Sequence, residues 1–239
     1  MSTAGKILII KAGSKLASLA DVDGDFEHWM MAATGRMADE FNIISVADGQ
    51  ILPDPEKVIA VIITGSGAMV TDKSDWIEQT SVWLRAVSHK SIPILGICFG
   101  HQLLAYALGG TVADNPKGVE VGTVDLQLMK AAHDDDLFAG LGNMRVQVSH
   151  RQCVLQLPET AVRLASSAMD VNHAFRFQDH VWGVQFHPEF NAEITRHYVR
   201  HYQEDLERAG MDCDAILQSC QDTPIAHGLL QQFLKQTEY

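Results

Sequence analysis

The amino-acid sequence predicts an α/β fold with a mostly parallel central sheet and a helical extension at its C-terminal end. Three observations support this prediction. Apolar runs alternate with helical patterns in the first half of the chain, short apolar segments separated by turns follow from about residue 112, and the last third has helical patterning. Strand–helix alternation of this kind is typical of a parallel sheet covered by helices on both faces.

The first half contains three short apolar runs that we interpret as buried strands, at residues 7–10, 41–46 and 58–63. Residues 26–41 and 76–88 carry apolar side chains at helical spacing and are predicted helices. Ligands of parallel sheets bind beyond the carboxyl ends of the strands. We therefore expect the functional residues in the loops that follow the strands.

The second half begins with shorter segments of apolar or alternating character, separated by turns at residues 141–143 and 178–180. Such segments are typical of short strands, some of them antiparallel. The five predicted strands lie at residues 119–129, 144–149, 163–168, 174–177 and 181–186.

The C-terminal part of the chain has two helical signals. Apolar residues recur at four-residue steps from Ile194 through Tyr198 and Tyr202 to Leu206, which predicts one amphipathic helix. Thr223 precedes a proline and an apolar helical pattern, which is typical of a helix start. We predict a main domain at residues 1–190 and a helical extension at 191–239 that packs on it.

Charge and cysteine content exclude several classes of function. The formal net charge is −12 and the basic residues do not cluster, which argues against a nucleic-acid partner and against an anionic membrane surface. No apolar run approaches the length needed to cross a membrane. The four cysteines have no CxxC spacing and no secretion signal precedes them, so we expect reduced thiols and a cytoplasmic location.

The most informative segment is Gly-Ile-Cys-Phe-Gly-His-Gln at residues 96–102. An apolar run at 91–97 leads into it and a helix-forming run at 102–108 follows it. Strand, Gly-x-Cys-x-Gly and helix in this order form a nucleophile elbow with sulfur as the nucleophile. A thiol at a helix N-terminus is stabilised as thiolate, so we predict that Cys98 is a catalytic nucleophile.

A second segment, Gln-Phe-His-Pro-Glu at residues 185–189, supplies the groups that a cysteine nucleophile requires. His187 and Glu189 would point to the same side of an extended backbone, and the proline between them disfavours a helix at His187. A carboxylate beside a histidine fixes the tautomer of the ring and stabilises the imidazolium. Alone, the two residues would be ordinary groups at a strand end, but together with the cysteine elbow they predict a Cys–His–Glu triad.

The developing oxyanion of such a reaction needs two N–H donors. The Phe99 N–H directly follows the nucleophile, and the glycine-rich residues 64–67 follow a predicted strand. A dinucleotide-binding fingerprint that begins Gly65-x-Gly67 requires a third glycine at position 70, but this chain has Val70 there. The chain also has no P-loop. We therefore predict no nucleotide cofactor.

Other chemically suggestive residues have simpler interpretations. His197 and His201 lie one helical turn apart but lack a third ligand of recognised spacing, so we predict no metal site. His150 follows an apolar strand, and we favour a structural role for it over a place in the active site. Cys153, Cys213 and Cys220 are interpreted as small buried hydrophobic residues.

The two catalytic segments together resemble the class I (triad) glutamine amidotransferases. Further segments fit the same family, and the chain looks like stand-alone members similar to the amidotransferase half of GMP synthase. The supporting segments lie at residues 63–67, 70–72, 76–77, 115–122, 136–141 and 149–150.

The resemblance implies a flavodoxin-like three-layer sandwich with about seven strands in its sheet. It also implies a glutaminase reaction in which Cys98 attacks the side-chain amide of glutamine. In addition, it assigns the substrate contact to Gln102, and the oxyanion loop to Gly65 and Ser66, although many relatives have a proline in that loop. Ammonia would pass to an acceptor held by a synthetase or other amination partner protein.

Two alternatives stay open at this point. A γ-glutamyl hydrolase or peptidase would use the same Cys–His–Glu triad on another γ-glutamyl amide. A regulatory subunit without turnover is the other alternative, although the intact triad argues against it. Redox-sensing α/β proteins also carry elbow cysteines, but they lack the His-Pro-Glu segment.

Overall fold

The structure is a computed structural model that describes residues 5–237. Within these residues the chain forms eleven strands and eight α-helices. The strands are β1 (Lys6–Lys11), β2 (Phe41–Ser45), β3 (Val58–Ile63), β4 (Ile94–Ile97), β5 (Thr111–Asp114), β6 (Glu120–Leu128), β7 (Met144–His150), β8 (Gln152–Gln156), β9 (Val162–Ser166), β10 (Ala174–Phe177) and β11 (Val181–Val184). The helices are α1 (Phe26–Thr34), α2 (Asp75–Val87), α3 (Phe99–Ala107), α4 (Ala192–His201), α5 (Gln203–Arg208), α6 (Cys213–Ser219), α7 (Pro224–His227) and α8 (Leu229–Lys235).

The central sheet contains nine of the strands in the described part of the chain, in the order β2-β1-β3-β4-β11-β10-β9-β6-β7. The strands from β2 to β11 pair in parallel, and the remaining pairs are antiparallel. The predicted α/β fold and mixed sheet are confirmed. The expected number of about seven strands was too low, and the small sheet of β5 and β8 was not predicted.

Two apolar cores lie on opposite faces of this sheet. Successive residues of a strand point to opposite faces, and in β1 Ile7 and Ile9 join one core whereas Leu8 and Ile10 join the other. Side chains of α1, α4 and α8 fill the first core, and those of α2 and α3 fill the second. The central strands are continuous apolar runs because both faces are covered, and the result is the predicted three-layer sandwich.

The helix boundaries differ from the sequence prediction in several places, and the pattern predicted as one helix after Thr223 is divided at Gly228 into α7 and α8. Helix α1 ends at Thr34, because Gly35 adopts a left-handed conformation with φ of 70°. The single helix predicted from the 194–206 stripe is divided at Tyr202 into α4 and α5. Helix α6 was not predicted. Helix α7 begins at Pro224, as the Thr-Pro signal indicated, but the Thr223 hydroxyl makes no capping hydrogen bond.

The C-terminal helices share the core of the main domain. Leu230, Phe233 and Leu234 of α8 are buried in the same core as Phe26, and the Phe233 ring lies edge-on to Trp182. Helix α4 contributes buried side chains to that core as well. The division of the chain at residue 190 stays a prediction, since the two parts share a single packed interior on this face.

The parallel register brings three functional loops to one edge of the sheet. Ile63 of β3 lies opposite Gly96 of β4, and Ile97 of β4 lies opposite Val184 of β11. The segments that follow these three strands are the glycine-rich loop, the cysteine elbow and the His-Pro-Glu segment. Within residues 5–237, every helix is too short or too polar to span a lipid bilayer.

Candidate active site

Cys98 occupies a strained turn between β4 and α3, with φ of 51° and ψ of −104°. Two glycines make this turn possible. A Cβ on Gly96 would lie 2.4 Å from the Gly100 carbonyl oxygen, and a Cβ on Gly100 would lie 2.6 Å from the Ile63 oxygen. Because positive φ in a residue other than glycine costs about 1–3 kcal/mol, the surrounding packing must hold the turn. The elbow predicted from Gly-x-Cys-x-Gly is therefore present.

The nucleophile is fixed by backbone hydrogen bonds on both sides. The Cys98 N–H donates to the Val184 oxygen of β11 at 2.9 Å, and the Cys98 oxygen accepts from the Gln102 N–H at 3.1 Å. The first N–H groups of a helix have no acceptor within that helix, and they carry partial positive charge. Phe99 is the first residue of α3, so its N–H belongs to this set and keeps its predicted role as an oxyanion donor.

His187 and Glu189 form a buried pair directly after β11. His187 Nδ1 lies 2.7 Å from Glu189 Oε1, and the two residues are 2% and 4% exposed. The His187 N–H donates to the Gln147 oxygen at 2.8 Å, which fixes the backbone of the segment to β7. If Nδ1–H donates to Glu189, Nε2 is the nitrogen that remains to exchange a proton with a thiol.

The electrostatics of His187 favour its charged form. Burial lowers the pKa of His187, but the negative charges of Glu189 and Cys98, together with the hydrogen bond to Glu189, raise it to about 10. The Cys98 thiol is 6% exposed, and its Sγ lies 3.6 Å from the Ser149 oxygen. This arrangement can hold a thiolate–imidazolium pair, which is the state a cysteine nucleophile needs for attack.

Aromatic residues orient the His187 ring, and the sequence analysis did not identify them. The Phe190 ring stacks on His187 with centroids 4.0 Å apart, and Phe26 of α1 lies 6.1 Å away in a parallel orientation. Tyr198 of α4 stacks on the other side of Phe190 at 5.0 Å. The sequence indication for this contact is an aromatic residue three positions after His187, but whether it stacks on the ring depends on the geometry of the turn.

The glycine-rich loop lies beside the catalytic histidine. A Cβ on Gly65 would lie 2.9 Å from His187 Cε1, so only glycine fits there without displacing the ring. Ser66 is half-buried, and its Oγ accepts from the Ala68 N–H at 3.0 Å. The side chain of Ser66 is thus engaged within its own loop. Its backbone N–H stays the predicted second oxyanion donor.

Gln102, the predicted substrate contact, lies in the second turn of α3 and is 4% exposed. Its Nε2 donates to the Gln152 oxygen at 2.8 Å and to Gln185 Oε1 at 3.0 Å. These two bonds use both amide hydrogens, so the side-chain oxygen is the group left to accept a hydrogen bond from a substrate.

A second buried histidine–glutamate pair lies close to the triad. His150 Nε2 is 2.8 Å from Glu120 Oε2, and His150 Nδ1 is 2.9 Å from the Gln152 oxygen. His173 Nε2 lies 3.4 Å from the same Glu120 oxygen. Burial raises the pKa of Glu120, but the hydrogen bond from His150 and the nearby His173 outweigh it and hold that pKa well below its usual range. Burial lowers the pKa of His150, and Glu120 more than restores it, so the net shift is upward.

Within residues 5–237, these three residues are the only group of His, Cys, Asp or Glu side chains whose ligand atoms lie close enough together to hold a metal ion. Ligands of a tetrahedral zinc ion at 2.0–2.1 Å from the metal lie ~3.3 Å from one another. The 2.8 Å separation of His150 and Glu120 is instead a hydrogen-bond distance, with a proton between the two atoms. The arrangement supports the structural role that we favoured for His150.

Comparisons with known proteins agree with this geometry. A family model described as "Glutamine amidotransferase class-I" matches residues 20–202, which is most of the chain. The chain belongs to this family. The resemblance inferred from the two catalytic segments is thereby confirmed, and the family is one of amidotransferases and related hydrolases.

Individual relatives of this amidotransferase-family chain carry different activities in their names. "Gamma-glutamyl peptidase 3" of Arabidopsis thaliana is 32% identical over 181 residues, covering 72% of this chain and 71% of that protein. A glutamine-hydrolysing GMP synthase subunit of Methanothermobacter thermautotrophicus is 32% identical over 152 residues, covering 63% and 80%. A solved glutamine amidotransferase from Thermotoga maritima superposes with a TM-score of 0.76 at 22% identity, covers 99% of each chain and confirms the fold.

Proposed function

We propose that the protein hydrolyses a γ-glutamyl amide through a γ-glutamyl thioester on Cys98, with glutamine as substrate and ammonia as the first product. The observation that carries this proposal is the buried His187–Glu189 pair beside a thiol on a strained elbow. Thiol, base and carboxylate come from two adjacent parallel strands, so their relative positions are set by the middle of the sheet. No other thiol of the described residues has a histidine partner of this kind.

The chemical steps follow from the positions of these groups. The Cys98 thiolate attacks the amide carbon, and the oxyanion is held by the backbone N–H groups of Phe99 and Ser66. The C–N bond breaks as the His187 imidazolium gives its proton to the departing ammonia. His187 then takes a proton from a water molecule, which attacks the thioester and releases glutamate while the sulfur regains its charge. Glu189 orients the His187 ring and balances its positive charge during both the formation and the hydrolysis of the thioester.

The name of one relative bears on where the released ammonia would go. One relative is named as a glutamine-hydrolysing part of GMP synthase. By analogy, ammonia released at Cys98 would be used by a synthetase-like partner protein. Gln102, through its free side-chain oxygen, would contact the glutamine held at the elbow.

A γ-glutamyl peptide is the second candidate substrate, and a specific finding favours it. Several of the curated relatives are named γ-glutamyl peptidases, and one of them matches 89% of this chain at 29% identity. The acyl chemistry at Cys98 would be unchanged, because only the amine that leaves differs from ammonia. Glutamine and a γ-glutamyl peptide therefore differ in the leaving group, whereas the triad would act on both in the same way.

Turnover of glutamine and of a panel of γ-glutamyl amides tests the proposal, with released ammonia or amine as the readout. Cys98→Ala should reduce every activity by at least about 10⁴-fold, the scale found when a triad nucleophile is removed. Cys213→Ala, which changes a thiol buried in α6, is the matched control and should behave as the wild type. Acid quenching should trap a γ-glutamyl adduct on the wild type and on Cys213→Ala, but not on Cys98→Ala. Undiminished turnover by Cys98→Ala would refute the mechanism.

A further inference from the structure

The helical extension lies against the reaction centre on the His187 side. Phe190 stacks on His187, and Tyr198 of α4 stacks on Phe190. Tyr202 follows one helical turn later, at the junction of α4 and α5. Burial and the negative charge of Cys98 raise the pKa of Tyr202, so this side chain lies within electrostatic reach of the thiol. We refer to residues 192–208 as the α4–α5 arch.

The other end of the arch contacts the Cys98 side of the centre. Asp205 of α5 pairs with Arg151, whose Nη2 lies 2.5 Å from Asp205 Oδ2. Arg151 follows Ser149 by two residues, and the Ser149 oxygen lies 3.6 Å from Cys98 Sγ. The α4–α5 arch therefore extends from the His187 side of the catalytic centre to the Cys98 side. Arg151 is the charged residue that contacts the arch at its Cys98 end.

Arg151 keeps the capacity to bind a further anion. A guanidinium has five N–H donors, and Asp205 occupies one face of it through Nη2. Asp205 is also shared with Arg208, whose Nη2 lies 2.6 Å from Oδ1, so a single carboxylate serves two guanidinium groups. The Arg151 side chain is 41% exposed, so a solute can reach it.

The exposure of these groups separates two sides of the cleft. Cys98 and Gln102 are buried, as is Ser149, whose Oγ has no partner among the described residues. A γ-glutamyl group held at the thiol would lie on this closed, polar side. The amine that departs needs a path to solvent, and the exposed guanidinium lies where the α4–α5 arch meets the surface.

We propose that Arg151 binds a carboxylate on the leaving group, and that the preferred substrates are γ-glutamyl amides whose amine carries a carboxylate, as in a γ-glutamyl peptide. The inference rests on the proposed thioester chemistry at Cys98 and deepens it by assigning the substrate class. Ammonia has no group for Arg151 to bind, so glutamine would be a poorer substrate than such a peptide. Arg151 is thus a specificity-determining residue of the leaving-group side.

A pair of substrates that differ in one group tests this assignment. γ-Glutamylglycine and γ-glutamylglycinamide have the same acyl group and nearly the same leaving group, but only the first has a carboxylate. Wild-type kcat/KM should favour γ-glutamylglycine by about 10- to 100-fold, the value expected for hydrogen bonds to a charged group. Arg151→Met should bring the ratio close to one and keep turnover of the glycinamide, and Arg151→Lys should restore part of the preference.

Arg208→Met is the matched control, because it removes the other guanidinium of Asp205 and should keep the wild-type ratio. A wild-type ratio near one, an undiminished preference in Arg151→Met, or equal losses on both substrates would overturn the assignment. Urea unfolding of each variant shows whether a loss reflects folding. A wild type that hydrolyses glutamine but does not distinguish the pair refutes only this inference, whereas no turnover of any γ-glutamyl amide and no adduct on Cys98 refutes the proposed function itself.

Discussion

The molecule contains two buried histidine–glutamate pairs of almost the same length, and only one of them faces the nucleophile. His187 and Glu189 are two residues apart on one extended segment, with 2.7 Å between nitrogen and oxygen. His150 and Glu120 come from the antiparallel strands β7 and β6, thirty residues apart, with 2.8 Å between the corresponding atoms. Both pairs are buried, and in both the histidine pKa is raised.

The difference lies in the second nitrogen of each ring. His150 uses its other nitrogen on the Gln152 oxygen, so both ring nitrogens are bound to protein groups. His187 uses only Nδ1 on its carboxylate and directs the rest of its ring toward Cys98. The same two side chains therefore serve as a structural pair or as a catalytic base, depending on whether one nitrogen is free to exchange a proton.

Matched asparagine substitutions give the largest expected effects and could break this distinction. An asparagine amide replaces Nδ1 and removes Nε2 from either histidine. His187→Asn should lower kcat by about 10⁴-fold, because the proton-transfer atom is lost. His150→Asn should keep kcat within about tenfold, but reduce the free energy of unfolding by up to about 3–5 kcal/mol, since Glu120 loses its main partner in a buried site.

Steady-state kinetics and urea unfolding of the two variants provide the measurement. The assignment fails if His150→Asn loses as much kcat as His187→Asn while remaining equally stable. It also fails if His187→Asn retains most of its activity.

A substitution beside the catalytic ring should have an intermediate effect. Gly65→Ala places a methyl group 2.9 Å from His187 Cε1, so the ring or the loop must shift. Because small displacements of a catalytic group cost up to about 10²-fold, we expect kcat to fall about 10- to 100-fold. Gly67→Ala, where a Cβ has no neighbour within 4 Å, is the control and should resemble the wild type. Equal kcat values for both alanine variants would show that the loop does not limit the position of His187.

The smallest expected difference between neighbouring measurements is in the slope of stability with pH. The unfolded state releases the histidine proton near a pKa of 6.5, whereas folded His187 keeps it to a pKa of about 10. Its contribution is therefore fully present below pH 6.5 and is lost as pH rises through about 10. Between these limits the wild-type free energy of unfolding should fall up to about 1.4 kcal/mol per pH unit more steeply than that of His187→Asn. Urea titrations across this range measure the slopes, and parallel curves would contradict the ion-pair description.

The parts of the site closest to the chemistry could be predicted from the sequence. Cys98, His187 and Glu189 lie in two short segments whose glycine, proline and spacing patterns specify a local backbone shape. The alternation of apolar runs then places both segments at strand ends. Local geometry and strand direction together bring the three side chains to one edge of the sheet. Their proximity could therefore be predicted without knowing any tertiary contact.

Contacts between distant segments could not be predicted in the same way. Glu120 meets His150 because β6 and β7 pair in one register, which spacing along the chain does not reveal. Arg151 meets Asp205 across fifty-four residues of chain, on a helix that begins after the break at Tyr202. Strand β5 was missed because it is poorly buried and has no clear apolar pattern, and β8 was missed because only its first three residues are buried. Each of these features depends on tertiary packing.

The hydrogen bond between the Cys98 N–H and the Val184 oxygen has a consequence for motion in the cleft. It extends the ladder between β4 and β11 up to the nucleophile itself, in the middle of a nine-stranded sheet. Opening the centre there would require a free energy close to that of global unfolding, since interior strands are the last regions to exchange their amide hydrogens. Breathing motions that admit a substrate must therefore come from the rim, in the glycine-rich loop and the α4–α5 arch, around a nucleophile that stays in place.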